Sequence, residues 1–522
     1  MIREISRRKC LRLWLCKPEY MGRTKWENRF VLLRFRKKNY MMFLKDLKRF
    51  KMERLYDKLK AYSESDFYAF HMPGHKRNKA LLGIELPYDL DITEIDGFDD
   101  LHHADGILKE EQERAARVFG AEESHFLVNG STAGILSAVM GCTHRGDKIL
   151  VARHCHKSIY HAIYMNGLVP RYVYPEFDIS MHMNGEISKE DVAKALAAEP
   201  DIKAVVIVSP NYDGVVSDVK GIAEVAHSYR IPLIVDEAHG PHFGFHPAFP
   251  GRANDLGADV VINSLHKTLP SLTQTAILHI NGKIVNRRRI KKYLDMLQSS
   301  SPSYIFMASL DACVDFVDGK CENAFELYVE RLQKFREELK PLQHLQILRT
   351  EHYDISKVVI STANANITSP ELADRLRKEY HLEMEMTGGT YVLAMTTVAD
   401  TQEGLDRLKA ALLEIDGQLE AKTAVSGSIE ISGELPRLEQ YFTPQEAADR
   451  EEDGEAEEIP WKESEGHISL EYAYLYPPGS PVIVPGERIS REAVELLCYY
   501  ETQNLQIEGI QTEGKIKVWK HE

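Results

Sequence analysis

The chain has 522 residues, 43% hydrophobic and 28% charged, with 79 acidic against 65 basic side chains and a formal net charge of −14. That composition excludes a disordered or collagen-like chain and suits a globular protein of roughly three or four domains. Seven scattered cysteines with no C-x-x-C pair indicate neither a disulfide framework nor a zinc site, a pattern that fits a reducing cytoplasm, and no apolar run is long enough to span a bilayer.

Residues 1–51 form a basic leader, with Arg34-Phe35-Arg36-Lys37-Lys38 and Lys45-Asp46-Leu47-Lys48-Arg49. A nucleic-acid or membrane-surface arm, a targeting leader and a mis-called start codon compete to explain it. The last is favoured, because Met52-Glu53-Arg54-Leu55 opens an amphipathic pattern; no nucleic-acid or membrane partner is expected. Residues 52–80 read as an N-terminal arm ending in the Pro73-Gly74 turn, with His71 and His75 placed to edge a site.

Residues 81–310 alternate strand and helix patterns, which predicts an α/β fold with a mostly parallel sheet covered on both faces. Residues 311–425 predict a small α+β domain. Residues 426–466 are read as an acidic linker, solvated around Glu451-Glu452-Asp453. Residues 467–522 predict a C-terminal α+β domain, whose Tyr476-Pro477-Pro478-Gly479 is too rich in proline for helix. His102-His103 and His154-Cys155-His156 are not read as metal ligands, because adjacent side chains point apart.

The chemistry gathers at strand ends in the 81–310 segment. Asn129-Gly130-Ser131-Thr132 precedes a helical pattern, and such a start offers N–H groups and hydroxyls to an anion or serves as a plain cap. His156 follows the strand pattern 148–152 and is either a ring that stacks on a ligand or a packing histidine. Asp236 ends the run Leu233-Ile234-Val235, followed by Glu237, the small Ala238 and His239; it either meets a ligand or caps the next helix. Ser264-Leu265-His266-Lys267 follows the run Val260-Val261-Ile262. A lysine there is either an ordinary solvated side chain or an amine kept near low dielectric, able to form a Schiff base with an aldehyde. Pyridoxal phosphate is the cofactor that needs such a lysine, a carboxylate at its ring nitrogen and a phosphate cradle.

These segments resemble the Orn/Lys/Arg decarboxylases of bacteria. The resemblance covers roughly residues 52–510 and rests on motifs in order: Phe70-His71-Met72-Pro73-Gly74-His75-Lys76, His156-Lys157-Ser158, Asp236-Glu237-Ala238-His239-Gly240, Ser264-Leu265-His266-Lys267 and Tyr476-Pro477-Pro478-Gly479. It implies the fold type I of pyridoxal-phosphate enzymes, a seven-stranded sheet with a small and a C-terminal α+β domain, in the short branch that lacks an N-terminal wing. By resemblance Lys267 is the Schiff-base lysine, Asp236 pairs with the ring nitrogen and His156 stacks on the ring. Ser131, Thr132, Ser264 and His266 hold the phosphate, with Ala238 and His239 close by. Ser299 reaches the phosphate of a neighbouring subunit, which implies a homodimer or higher homo-oligomer. The implied reaction is decarboxylation of arginine, lysine or ornithine to a di- or polyamine precursor; an aminotransferase or lyase of the same fold is the alternative. A basic substrate needs a carboxylate for its distal cation, and Glu487 is the candidate against a plain surface turn.

Overall fold

Seven short strands form the central sheet: β1 (Glu123–Leu127), β2 (Lys148–Ala152), β3 (Val169–Val173), β4 (Val205–Val208), β5 (Leu233–Asp236), β6 (Val260–Asn263) and β7 (Ala276–Ile280). The structure is a computed structural model that describes residues 54–178, 183–421, 434–475, 479–502 and 505–520. The basic leader, the Met52 start and Tyr476-Pro477-Pro478 lie outside the described residues.

The sheet order is β3-β2-β4-β5-β6-β7-β1. Strands β2 to β6 run parallel, and β7 runs antiparallel to both β6 and β1. Every residue of β4, β5 and β6 is buried, so these strands read as unbroken apolar runs rather than alternating ones. The covering helices are α1 (Leu55–Ser63), α2 (Ile107–Val118), α3 (Gly130–Cys142), α4 (Lys157–Met165), α5 (Lys189–Ala198), α6 (Val219–Ser228), α7 (Arg287–Leu297), α8 (Tyr304–Val317) and α9 (Glu322–Glu338). One apolar cluster joins the sheet to α3–α7; a second packs Phe126, Val128 and Ile277 against α1, α2, α8 and α9. Adjacent Phe126 and Leu127 belong to different clusters, as strand alternation requires.

The small domain is an antiparallel sheet of β8 (Gln346–Leu348), β9 (Lys357–Ser361), β10 (Met386–Thr387) and β11 (Tyr391–Met395), in the order β8-β9-β11-β10. Helices α10 (Ser369–Tyr380) and α11 (Gln402–Asp416) cover it. Helix α10 opens with a reciprocal capping box between Thr368 and Glu371, which satisfies two of its free N–H groups.

The acidic stretch expected as a linker is folded. Helix α12 (Pro444–Glu452) starts on a capping box between Thr443 and Glu446. Strand β12 (Ala456–Pro460) pairs antiparallel with β13 (Lys515–Trp519) over five residue pairs. The charge run is solvated, with Glu457 and Glu458 exposed, yet the backbone beneath it is paired. Charge density reported which face is wet, not whether the segment folds.

Glu487 also departs from expectation. It is wholly buried, and its two carboxylate oxygens each accept from Arg153 at 2.8 Å. The Val484 N–H donates to it as well, at 2.8 Å. Arg153 follows β2 and donates to the Val482 carbonyl at 2.9 Å, so this bidentate pair ties the large sheet to the C-terminal domain. The carboxylate is already matched and has no room for a substrate cation. Glu487→Gln should therefore cost about 3–5 kcal/mol of folding stability by leaving a buried guanidinium uncompensated. Chemical denaturation checks this; a normal midpoint together with a raised KM would reverse the assignment.

Candidate active site

The carboxyl ends of β1, β2, β4, β5 and β6 open onto one cavity of about 420 Å³. Parallel strands with helices on both faces leave their free loops at that end, and ligands of such sheets bind there.

Lys267 sits on the one-turn helix Leu265–Thr268 directly after β6. Leu265 and Thr268 are buried in the core, which turns Lys267 toward the cavity. Its Nζ lies 2.8 Å from His239 Nε2. Desolvation pulls the amine below its ordinary range, and the charge of Asp236 opposes that shift. Asp236, at the end of β5, is buried and accepts the Ala238 N–H at 3.1 Å. Burial raises its carboxyl, with Lys267 pulling the other way. The two groups are thus electrostatically coupled across the cavity.

Hydroxyl groups suited to an anion line the same cavity. Ser131 Oγ and Ser264 Oγ are 2.6 Å apart, and both residues line the cavity with Thr132 at the start of the thirteen-residue helix α3. Gly130 has φ +71°, a left-handed conformation that suits glycine, and its N–H donates to the Gln274 carbonyl at 3.0 Å. The helix dipole and its first N–H groups favour an anion at this point. His266 donates from Nδ1 to the Thr275 carbonyl at 2.8 Å, so its Nε2 holds a lone pair unless the ring is protonated. Burial opposes that protonation.

His156 caps α4. Its Nδ1 accepts from the Ser158 N–H at 3.2 Å, so the proton of the neutral ring is on Nε2. Burial lowers its pKa to about 4, which keeps the ring neutral and suited to lie over another flat ring. Two cavity-lining atoms, His154 Nδ1 and Asn184 Oδ1, are buried without a hydrogen-bond partner. Unpaired buried polar atoms call for a ligand or water. An amine, a nearby carboxylate, a hydroxyl pair at a helix start, a neutral ring and a small Ala238 fit pyridoxal phosphate group by group.

The structure thus brings together Ser131, Thr132, His156, Asp236, Ala238, His239, Ser264, His266 and Lys267. It does not bring His71 or His75 to this cavity. His71 Nε2 is 3.0 Å from the Tyr62 hydroxyl, and His75 stacks on Tyr88 and lies 3.3 Å from Asp91. Ser299 stands outside the cavity, its N–H donating to Asn129 Oδ1 at 3.0 Å and its own side chain exposed. The loop Pro210-Asn211-Tyr212-Asp213-Gly214, which the sequence places at a strand end where it could face the cofactor, brings Tyr212 and Asp213 to the cavity, whereas Lys357 had no sequence signal. Asp213 lines the cavity from the loop after β4, with Tyr391 donating to its Oδ1 at 2.5 Å. Tyr212 lies against the His239 ring at 4.5 Å between centroids and donates to Glu385. Lys357, the first residue of β9, contacts His239 from behind. The only signal for Asp213 was its place beyond a buried strand; Lys357 and Glu385 lie in another domain with no motif around them.

Residues 53–421 match the Orn/Lys/Arg decarboxylase major domain, and residues 433–514 match the C-terminal domain of the same family. An arginine decarboxylase of Bacillus subtilis is 33% identical over 471 residues, covering 87% of this chain and 95% of that protein. An arginine decarboxylase of Bacillus anthracis is 32% identical over 487 residues, covering 89% and 97%. The structure of the constitutive lysine decarboxylase of E. coli superposes with a TM-score of 0.76 at 21% identity, covering 89% of this chain and 82% of that one, and bears on the fold alone. The sheet order, the cavity and these matches agree: the chain belongs to the Orn/Lys/Arg decarboxylase family and is an amino-acid decarboxylase by class.

Proposed function

We propose that this protein decarboxylates a basic amino acid, with pyridoxal phosphate attached at Lys267, and releases carbon dioxide and the corresponding amine. One observation carries the reading: a desolvated lysine at a strand end, coupled to a buried carboxylate and facing a hydroxyl pair at a helix start. Lys267 would hold the cofactor covalently, Asp236 its ring nitrogen, His156 and Ala238 its ring, and Ser131, Thr132 and Ser264 its phosphate. When bound, the cofactor supplies an electron sink for the bond broken at the substrate α-carbon. Asp236, buried away from water, would offer its carboxylate to the ring nitrogen rather than to solvent. His156 is neutral and would exclude solvent from the ring face. Lys267 and His239 stand 2.8 Å apart, where either can return a proton to the substrate carbon.

Purified protein with the cofactor and each of arginine, lysine and ornithine should yield carbon dioxide and one dominant amine. Lys267→Ala should lose both the bound-cofactor absorbance and turnover. Asp236→Ala should keep some cofactor but decarboxylate at least about 100-fold more slowly, the scale of losing a transition-state electrostatic contact. Keto-acid formation in place of carbon dioxide would overturn the reading in favour of an aminotransferase.

With Glu487 committed to Arg153, the cation of the substrate needs another partner. Among the described residues that line the cavity, Asp213 is the carboxylate other than Asp236, and we assign it to the substrate cation: burial raises its pKa to about 6, against the hydrogen bond from Tyr391 and the charge of Lys357, a shift that an incoming cation would relieve further. Asp213→Asn should raise KM for the basic amino acid roughly 10- to 100-fold, the worth of one charged hydrogen bond, with a smaller change in kcat. An unchanged KM would remove Asp213 from the substrate site.

The working form in this reading is at least a homodimer. Phe67, Tyr68, Phe70 and Met72 on the N-terminal arm are 63–90% exposed, a run of apolar surface that a second copy would cover. Ser299, exposed beside Asn129, would then meet the neighbouring cradle. Sedimentation velocity should show a dimer or larger, and Phe70→Asp should weaken it; a monomeric active wild type would reject this part. The cytoplasm is the compartment we propose, supported by the free thiols of Cys142, Cys155, Cys313, Cys321 and Cys498.

A further inference from the structure

Two lysines share one histidine. The buried ring of His239 lies between Lys267, whose Nζ is 2.8 Å from Nε2, and Lys357, whose Nζ is 3.0 Å from Nδ1. Lys357 enters from the small domain and is wholly buried. Its Nζ has three hydrogens when charged, and His239 is its one hydrogen-bond partner among the described residues. An apolar side chain would fill that space without desolvating an amine.

The backbone is arranged to keep it there. Gly214 adopts φ +105°, and a Cβ on it would stand 2.7 Å from Lys357 Cγ. Arg336 and the Tyr353 hydroxyl donate to the Lys357 carbonyl at 2.6 and 3.0 Å, and the Lys357 N–H donates to the Asp354 carbonyl at 3.1 Å. Asp354 in turn has its carboxylate engaged by His242 at 3.1 Å and by Ser356 at 2.7 Å.

Hydrogen counting limits the charge. A neutral imidazole has one N–H and one lone pair, so it cannot accept from two ammonium groups. Burial, Lys267 and Lys357 hold His239 neutral, with His156 and His266 adding to that effect and the Tyr212 ring against it. One lysine therefore donates to the ring, and the other, as a free amine, accepts the ring N–H.

We propose that Lys357 is a positioning residue that acts through His239, holding the proton that Lys267 must lack in order to act as a nucleophile. In the first arrangement Lys357 is charged and donates to Nδ1, while Nε2–H donates to the lone pair of Lys267. In the second, Lys267 is charged and donates to Nε2, while Nδ1–H donates to Lys357. Passing from the second to the first moves one proton from Lys267 to Nε2 and one from Nδ1 to Lys357. Lys267 loses a proton, Lys357 gains one, and the ring stays neutral with its tautomer exchanged. Lys357 is suited to this exchange, because desolvation lowers its pKa to about 8, against the charges of Asp354, Glu385 and Asp213 and with that of Lys267. Asp236 and Glu385 are the acidic groups facing Lys267.

The inference rests on Lys267 being the reactive amine, so the test uses cofactor-free protein and stands whether or not the cofactor binds as proposed. Brief pulses of acetic anhydride across a pH series, read by peptide mass spectrometry, give the midpoint at which Lys267 becomes a free amine. Lys357→Met should raise that midpoint by about one pH unit or more, as loss of a buried like charge and of its proton store requires. His239→Gln, which cuts the connection and leaves Lys357 in place, should raise it too. Lys357→Arg, which keeps a permanent charge and donor, should hold the midpoint low, a rescue that a packing role would not produce. Wild-type midpoints in Lys357→Met and His239→Gln, or a raised midpoint in Lys357→Arg, would overturn the proposal. Should Lys357→Met fail to fold by circular dichroism, His239→Gln decides alone.

Discussion

An amine withdrawn from water must be paired or give up its proton, and the site is organised around that constraint at Lys267. Desolvation works against its charge, the buried Asp236 carboxylate works for it, and His239 stands in hydrogen-bond contact with its nitrogen. The balance leaves a lysine that can be a base or a nucleophile without leaving the cavity. Each nearby group is in turn tuned by its own burial. Burial pushes the Asp236 carboxyl up, opposed by Lys267, and burial holds His156 neutral.

The fold makes this possible by bringing strand ends that are far apart in sequence to one rim. Strands β1, β2, β4, β5 and β6 deliver respectively the helix-start cradle, a neutral ring, Asp213, the Asp236 carboxylate and Lys267. The sheet itself is dry and closely packed, so these positions are fixed by the core rather than by the ligand. The small domain contributes from behind through Lys357, and the C-terminal domain is fastened to the sheet by the buried Arg153–Glu487 pair.

Much of this was legible in the amino-acid order. The unbroken apolar runs of β4, β5 and β6 announced a doubly covered sheet, and the residues just beyond them announced a site, because topology places such ends together. Lys267, Asp236, His156 and Ser131 were singled out on those grounds, and all four line one cavity. Glu487 was read as the partner of a substrate cation, or else as a surface turn, and is neither, because its partner Arg153 lies 334 positions away and no local pattern links them. The acidic stretch around residue 451 was misread for a related reason: its charges describe the wet face of β12, while the pairing with β13 is made by backbone atoms that sequence does not mark. Lys357 was invisible because a lysine opening an apolar strand looks the same whether it faces solvent or a histidine from another domain.

Reduction with borohydride in the presence of pyridoxal phosphate, followed by peptide mapping, tests the central claim most directly. The account predicts one dominant pyridoxyl adduct, on the peptide containing Ser264-Leu265-His266-Lys267, at the lysine. An adduct spread over surface lysines, or none at Lys267, would contradict it.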